Sequence, residues 1–386
     1  MSLQIQIYPT PPRIEKGNIV ASANIQLPTS DVKSLFYSVP LDYRSCMTES
    51  SDPFVLALLF QCMWQRADLH VHGHVSSSLL ANLSEFQAFW STVYSKSFAP
   101  IEIHADSEGD SPRANDKTIL SYSGGMDSNF SAWRHHTGSA GRKTRHLDAA
   151  LMVHGFDIPL AEPEMYARSF ANSRRMLDSI GLELIPMVTN CHSFVPLWLL
   201  THGALLASAL MMLRAGYGVG MIPSSHTYRA LLPILGSNPI SDPMLSSNGF
   251  EIIHDGARFT RPEKARELST WTEAMRYLRV CWVGLERDRN CCRCSKCIRT
   301  MLNFRAANLP RPACFEHDVS LWQIATRGPI GRISIPFFQE ILDDAHTNNV
   351  HGSWVTLLQV IVPLYAFLVN FVPPQEDQTP PWRDSK

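Results

Sequence analysis

Short apolar segments alternate with longer segments of helical periodicity between residues 117 and 225. The apolar segments are TILSYS, AALMVHGFD, LELIPMVTN and VGMIPSS. Strands that are apolar along their whole length are buried on both sides, as in a parallel sheet whose crossover helices cover both faces. The alternation therefore predicts an α/β fold. In such sheets, ligands bind beyond the carboxyl ends of the strands.

Three domains are predicted from changes of pattern along the 386 residues. Residues 1–112 alternate like strands and include an amphipathic helical stretch, so we expect a strand-rich α+β accessory domain. Residues 113–312 carry the alternating strands and helices, and residues 313–386 are predicted to form a helical extension. The polar, turn-rich segment 104–117 is interpreted as the linker between the first two domains.

The composition is that of an ordinary globular protein, with 45% apolar residues, 18% charged residues and a net charge of −1. This balance gives no electrostatic reason to expect nucleic acid or an anionic membrane as a partner. The N-terminus lacks the basic and apolar regions of a secretory signal. The apolar segment 355–372 includes Gln359, Pro363 and Asn370 and lacks basic flanks. We interpret it as a buried or interfacial helix rather than a membrane span.

A glycine-rich turn, SYSGGMDS at residues 121–128, follows the first apolar strand. Gly124 and Gly125 allow a tight turn and the close approach of a ligand. Backbone N–H groups at the start of the next helix favour an anion, and the three serines offer hydroxyl groups to phosphate. Asp127 would repel phosphate unless a cation lies beside it, which predicts Mg²⁺. A helix-capping turn would use similar residues, but the position at the strand end favours a phosphate site.

The sequence SGGMDS resembles the SGGxDS signature of the PP-loop ATP pyrophosphatases. The resemblance implies an adenine-nucleotide α-hydrolase-like sheet that binds ATP and Mg²⁺ and cleaves ATP between the α and β phosphates. It also implies that Ser123, Gly124, Gly125, Asp127 and Ser128 form the pyrophosphate site, Asp127 and Ser128 acting in catalysis. Ser121 and Met126 are predicted to complete the nucleotide-binding turn.

Five of the nine cysteines lie within residues 281–297. Cys281, Cys291, Cys294 and Cys297 have a spacing that suits tetrahedral zinc, and Cys292 is the spare thiol. A Cys₄ iron–sulfur cluster is the alternative. Clustered thiols indicate a metal site in a reducing compartment rather than a framework of disulfides, so we expect a cytoplasmic protein.

The two motifs together resemble the 7-cyano-7-deazaguanine synthases over residues 117–303, about half of the chain. The resemblance implies an ATP-dependent carbon–nitrogen ligase, which adenylates a carboxylate, releases pyrophosphate and passes the acyl group to ammonia or an amine, forming an amide or a nitrile. It also implies that Asp157, in GFDIP, lies near the nucleotide and that Lys264, in RPEK, reaches phosphate. Cys292 replaces a glycine of the family, and its Tyr-Pro-Asp-Cys-Arg segment has no match here. The acceptor therefore stays open between a small-molecule carboxylate and a protein or peptide.

Further candidate residues lie in polar segments after the later strands. His226 and Tyr228, in SSHTY, follow the last apolar strand and are predicted to contact the substrate. Asp242 lies in the proline-containing loop GSNPISDPMLSS, whose small polar residues suit a substrate-shaping loop. Together with Arg261 and Lys264, Asp242 is predicted to take part in the active site.

Two other functions remain open on the sequence. A sulfur transferase acting on tRNA or a metabolite would use Cys191 as the nucleophile, although a lone cysteine is more often a small buried residue. A non-catalytic nucleotide-binding scaffold would use the N-terminal region to recruit a partner. The sequence leaves the oligomeric state open.

Three histidines share one face of a predicted strand in HVHGH, residues 70–74. Three imidazole groups could bind a metal, but the surrounding sequence shows no carboxylate or cysteine partner. The motif is therefore interpreted as a solvated strand face.

Overall fold

The computed structural model describes residues 3–29, 31–195, 197–284, 286–328, 334–369 and 371. The strands in these ranges are β1 (Leu3–Glu15), β2 (Asn18–Gln26), β3 (Val32–Pro40), β4 (Ala67–Val75), β5 (Ile103–Glu108), β6 (Thr118–Ser121), β7 (Ala149–His154), β8 (Glu183–Thr189), β9 (Val219–Pro223) and β10 (Glu251–Asp255). The α-helices are α1 (Asp52–Gln65), α2 (Ser77–Val93), α3 (Met126–His136), α4 (Pro163–Asp178), α5 (Trp198–Met211), α6 (Arg261–Ser269), α7 (Thr272–Tyr277), α8 (Ser295–Ala306), α9 (Leu321–Arg327), α10 (Ile335–Thr347) and α11 (Ser353–Leu368).

A single sheet contains all ten strands, in the order β10-β9-β6-β7-β8-β3-β2-β1-β4-β5. The five strands from β10 to β8 are parallel to their neighbours. Strand β3 joins this half to the N-terminal half by antiparallel pairing with β8. The predicted α/β class with a mostly parallel sheet is confirmed.

Helices cover both faces of the parallel half, because alternate residues of its strands enter different cores. Leu151 of β7 packs in a core with residues of α1 and α5, whereas the adjacent Met152 packs in a core with residues of α3, α4 and α6. Ile185 and Leu184 of β8 divide in the same way. This arrangement explains why these strands are apolar along their whole length.

The N-terminal region is continuous with the parallel half. Tyr37 of β3 pairs with Thr189 of β8, and its hydroxyl group lies 2.5 Å from Ser208 Oγ of α5. Helices α1 and α2 add their aromatic side chains to the same core as α5. The division at residue 112 stays a prediction, and the strands on its two sides belong to one sheet.

The linker expected over residues 104–117 is corrected in part. Its first residues belong to β5, which pairs in parallel with β4 at the edge of the sheet. Most side chains of this strand are exposed or half-buried, so they give no apolar alternation in the sequence. The rest of the segment connects β5 to β6.

The helices that follow the cysteine segment form a third core. Residues of α8, α9, α10 and α11 pack together there with Cys281 and Cys297. Within the apolar segment 355–372, Leu358 and Val362 are buried, whereas Val360 and Phe367 are 62% and 60% exposed. Residues 370 and 372 lie outside the described residues. No helix in the described ranges is long and apolar enough to span a membrane.

Candidate active site

The glycine-rich turn lies where the chain changes direction across the sheet. From β6 the chain adds β7 and then β8 on one side, and afterwards places β9 on the other side of β6. Such a switch point opens a crevice at the carboxyl ends of the two central strands, where ligands bind in α/β folds. Residues 122–125 occupy this position, between β6 and the N-terminus of α3.

The turn is held by a buried asparagine that the sequence analysis did not single out. Asn129 Nδ2 donates to the carbonyl oxygens of Gly124 and Gly125 at 2.9 and 3.0 Å. Asn129 Oδ1 accepts from the hydroxyl group of Tyr122 at 2.5 Å. Gly124 has a φ of +73°, and a Cβ there would lie 2.9 Å from Ser173 Oγ. The first glycine is therefore required by both the backbone conformation and the packing.

The serines of the turn differ in position. Ser123 is exposed, whereas Ser121 is half-buried and Ser128 is buried. The hydroxyl group of Ser128 accepts from the Ser123 N–H and donates to the Gly125 carbonyl oxygen, both at 3.3 Å. Ser128 thus stabilises the turn from within, and Ser123 is the serine that faces solvent.

Asp127 is bound by the two cations that the sequence analysis placed in the site. Its Oδ1 accepts from Lys264 Nζ at 2.8 Å, and its Oδ2 accepts from Arg261 Nη2 at 2.9 Å. Burial alone would raise the pKa of Asp127, but the charges of Arg261 and Lys264 outweigh it and hold this pKa well below its usual range. Lys264 also donates to the Ser224 carbonyl oxygen at 2.6 Å. The lysine therefore joins the end of β9 to the start of α3.

Asp157 reaches the turn through an arginine that the sequence analysis missed. Arg279 Nη2 donates to Asp157 Oδ2 at 2.6 Å and to the Ser123 carbonyl oxygen at 2.9 Å. The backbone N–H of Arg279 donates to the Gly124 carbonyl oxygen at 3.0 Å. A largely buried guanidinium group thus fixes the loop after β7 against the turn after β6.

Two more cations come from α8. The guanidinium groups of Arg299 and Arg261 lie 4.0 and 4.3 Å from the ring centroid of Phe337 in α10. Burial and the charge of Arg261 lower the pKa of Arg299. The side chain of Lys296 is exposed to solvent, although many protein atoms lie around its ammonium group. This desolvation, together with the charges of Arg299 and Arg261, lowers the pKa of Lys296 to about 8.

The site carries an excess of positive charge among the residues that the structure describes. Its five cations face three carboxylates, which leaves two positive charges that no carboxylate matches. The cations are Arg261, Lys264, Arg279, Lys296 and Arg299, and the carboxylates are Asp127, Asp157 and Glu340. Like charges brought together in a partly desolvated crevice repel one another, so an anionic ligand would stabilise the arrangement.

Asp242 belongs to a neighbouring part of the crevice. It is fully buried and accepts hydrogen bonds from Ser237 Oγ at 2.7 Å and the Asn238 N–H at 3.1 Å. Its Oδ2 also lies 2.7 Å from Nδ1 of His254, a residue of β10 that the sequence analysis missed. The structure thus brings Arg261 and Lys264 together on Asp127 and places Asp242 on His254 instead.

His254 lines a small cavity next to Asp127. The volume open to the centre of a water molecule is about 10 Å³, and His254, His226, Ser224, Ser237 and Asn238 are among its lining residues. His254 Nε2 is buried and has no hydrogen-bond partner in the described part of the chain. Ser224 connects the cavity to Asp127, since its carbonyl oxygen accepts from Lys264.

His226 and Tyr228, the two residues of SSHTY predicted to contact the substrate, lie in different environments. The ring centroid of His226 lies 4.7 Å from that of Phe337, and burial together with the charge of Arg261 lowers the pKa of His226 to about 3. Tyr228 is 62% exposed, and no hydrogen bond of its hydroxyl group reaches the cation cluster in the described ranges. His226 is therefore part of the crevice as a neutral imidazole group.

The four predicted cysteines form one cluster at the start of α8. Their sulfur atoms lie within 4.8 Å of one another, with Cys281 and Cys294 3.8 Å apart and Cys291 and Cys297 3.9 Å apart. A tetrahedron with zinc–sulfur bonds near 2.3 Å has edges of about 3.8 Å. The two shortest given separations therefore match a tetrahedral ion such as zinc, and the four thiols could hold one.

Cys292 is excluded from the cluster by its backbone. Its φ is +56°, in the left-handed region, and its sulfur atom lies 3.6 Å from the Asn290 carbonyl oxygen. This conformation favours glycine, so the backbone at Cys292 is strained. Cys292 therefore lies outside the ligand set.

The cysteine cluster fixes the helix that supplies two of the site cations. Cys294 caps the N-terminus of α8, where its Sγ accepts from the Cys297 N–H at 3.5 Å. Lys296 lies between these ligands in sequence, and Arg299 follows within one turn. A metal ion held by the cysteines would therefore help to position Lys296 and Arg299 through the first turn of α8.

Comparison with family models, with curated proteins and with solved structures finds no match to this chain.

Proposed function

We propose that the protein is an ATP-dependent, AMP-forming carbon–nitrogen ligase of the PP-loop kind, similar to the 7-cyano-7-deazaguanine synthases. The observation that carries the proposal is the pairing of Asp127 with Arg261 and Lys264 beside a glycine-rich turn at the sheet's switch point. The turn supplies backbone N–H groups at a helix N-terminus, which favours phosphate. The surrounding excess of cations supports a polyphosphate ligand rather than a neutral one.

The proposed reaction needs a site that stabilises a departing pyrophosphate. Attack on a free carboxylate is slow, because its charge repels the nucleophile and oxide is a poor leaving group. The carboxylate oxygen attacks the α-phosphorus of ATP, and pyrophosphate leaves. In the acyl-adenylate that results, the bond between the acyl carbon and the AMP oxygen breaks readily. Cations placed beforehand at the leaving group stabilise the charge that develops there. Lys296, Arg299 and Arg261 are proposed to take this role.

We propose that Asp127 binds the divalent ion that accompanies the nucleotide, through the lone pairs that Lys264 and Arg261 leave free on its two oxygens. Mg²⁺ in nucleotide sites is commonly held by one or two carboxylates together with phosphate oxygens, and Asp127 is the carboxylate of the turn. When bound, Mg²⁺ would supply additional charge neutralisation to the phosphates. Arg261 and Lys264 hold the carboxylate in place meanwhile, so the site is organised before ligand binding.

The cavity beside Ser224 is proposed to hold the small nucleophile. Its volume of about 10 Å³ is close to what a single water or ammonia molecule needs. Because Nδ1 of His254 donates to Asp242, Nε2 carries a lone pair that can accept a proton from ammonium or an amine. The ammonia so formed would attack the acyl carbon, with AMP as the leaving group.

A pyrophosphate-release assay tests the proposal. Purified protein is incubated with ATP, Mg²⁺ and ammonium and a panel of carboxylic acids that includes 7-carboxy-7-deazaguanine. AMP and pyrophosphate are expected in equal amounts with one class of acid, and Asp127→Asn should abolish both. Asp116→Asn is the matched control, since this side chain is 92% exposed. Formation of ADP and orthophosphate would contradict the proposal.

The sulfur-transferase alternative is disfavoured by the position of Cys191. This residue is fully buried, and burial raises the pKa of its thiol to about 12. A nucleophilic cysteine needs an accessible thiolate. The interpretation of Cys191 as a small buried residue is therefore preferred.

A further inference from the structure

A second cluster of metal-binding side chains lies on the outer face of the N-terminal half of the sheet. Strands β1, β4 and β5 are adjacent and parallel, with Gln6 opposite His70 and His70 opposite His104. The alternate residues Ile7 and Val71 point into the core. The polar residues of these strands therefore share the solvated face, as expected for HVHGH.

The carboxylate that is absent near HVHGH in the sequence comes from β5. Asp106 Oδ1 lies 3.2 Å from His70 Nε2, and Asp106 Oδ2 lies 3.5 Å from His72 Nδ1. These ligand atoms all lie within 4.8 Å of one another. Asp106 is distant in sequence but adjacent in the sheet, so the local sequence gives no sign of the grouping.

The two ring nitrogens of His72 face different residues. Nε2 faces Gln6, and Nδ1 faces Asp106. Gln6 Oε1 accepts from the hydroxyl group of Tyr8 at 2.5 Å and lies 3.0 Å from His72 Nε2. An oxygen can only accept, so His72 Nε2 donates to Gln6 and Nδ1 is the nitrogen that faces Asp106 Oδ2. This contact needs a proton or a metal ion between the nitrogen and the oxygen.

We propose that His70, His72 and Asp106 bind a divalent transition-metal ion such as Zn²⁺. A tetrahedron with bonds near 2.1 Å has edges of about 3.4 Å, and the separations of 3.2 and 3.5 Å lie near this value although they involve different oxygens of Asp106. The rings of His70 and His72 are stacked with centroids 4.4 Å apart, so one ring has to turn for both nitrogens to face the same ion. Imidazole and carboxylate ligands suit zinc and its neighbours. The hydrogen bond from His72 to Gln6 is the outer contact that orients a metal-bound imidazole. The exposed fourth position takes water, and the ion bridges β4 to the edge strand β5.

Metal titration of the full chain, without a histidine tag, tests this proposal. Protein that retains its cysteine-bound ion is titrated with Zn²⁺ by calorimetry, and bound zinc is counted by mass spectrometry after gel filtration. We expect one further ion per chain. Asp106→Asn and His72→Asn should each weaken its binding by at least about tenfold, as loss of a ligand or its support does. His74→Asn is the matched control, because His74 contacts Ser107 instead of Asp106.

The thermal stability of the same proteins provides an independent readout. Excess Zn²⁺ should raise the melting temperature of the wild type and of His74→Asn, since an ion that binds only the folded state stabilises it. The melting temperature of Asp106→Asn should not respond to added Zn²⁺. Binding of the second ion by Asp106→Asn with unchanged affinity would overturn the proposal. So would a wild type that takes up no second ion, which would show that a proton on His72 Nδ1 balances Asp106.

Discussion

Lys264 Nζ and Asp127 Oδ1 lie 2.8 Å apart although 137 positions separate the two residues in the sequence. The side chain of Lys264 is only 2% exposed, and that of Asp127 is 17% exposed. An ammonium group so deeply buried needs a partner, because the loss of hydration would otherwise favour its neutral form. The pair therefore joins the start of α3 to α6 and organises the crevice.

Replacement of Asp127 by asparagine should destabilise the protein. Lys264 and Arg261 would lose the charge that compensates their burial, and breaking such a pair costs about 3 kcal/mol. The free energy of unfolding, measured by urea denaturation, should fall accordingly, while Asp116→Asn leaves it unchanged. Inorganic pyrophosphate should raise the melting temperature of Asp127→Asn more than that of the wild type, because an anion can replace the carboxylate. Equal shifts would contradict an anion site at this position.

The acid dependence of stability provides a second test of this pair. The pKa of Asp127 is lowered in the folded state, so the unfolded chain binds more protons at this residue near pH 4. The stabilisation is complete above the usual pKa of an aspartate and is lost as the pH falls below it towards the folded value. The wild type should therefore lose more unfolding free energy than Asp127→Asn between pH 6 and about pH 3. Parallel pH profiles of the unfolding free energy for the two proteins would show that Asp127 is not the source of the pH dependence.

The position of Phe337 beside two site cations predicts that the C-terminal extension contributes to anion binding. The guanidinium groups of Arg261 and Arg299 both lie over its ring. Cation–π contacts of this kind hold the cations in place. Phe337→Leu keeps an apolar side chain but removes the ring, so pyrophosphate affinity measured by calorimetry should fall severalfold. Trp322→Leu is the control, since Trp322 is 65% exposed in the same extension. A loss of affinity shared by both variants would indicate a general effect on folding.

The cysteine ligands should affect the anion site through α8. Alanine in place of Cys281, Cys291, Cys294 or Cys297 should remove one metal ion per chain, whereas Cys292→Ala should retain it. Because Lys296 and Arg299 follow the ligands on α8, loss of the ion should also weaken pyrophosphate binding. Metal content by mass spectrometry and affinity by calorimetry measure the two effects. Cys292→Gly should be at least as stable as the wild type, since glycine adopts the positive φ without strain.

The sequence predicted those parts of the fold that depend on local patterns. Strands β6 to β9 are apolar along their length, and the cysteine spacing is compact, so both were recognisable. Strand β5 was taken for a linker, because an edge strand with exposed side chains has no apolar alternation. Arg279 and Phe337 reach the site by packing against residues far away in sequence. Their neighbourhoods carry no motif, although the basic residues of CRCSKCIRT could have drawn attention to Lys296 and Arg299.

The pairing of Asp242 with His254 predicts that different residues serve the activation of the acceptor and the attack by the nucleophile. In the proposed ligase, His254 accepts a proton from ammonium and has no contact with the phosphates. His254→Gln should therefore lower the ammonium-dependent rate by about a hundredfold or more, the usual contribution of a positioned base. The shift in melting temperature produced by ATP should stay unchanged. A higher ammonium concentration or pH should restore part of the rate, since more free ammonia is then present. A loss of the ATP-induced shift in His254→Gln would instead place this histidine in the nucleotide site.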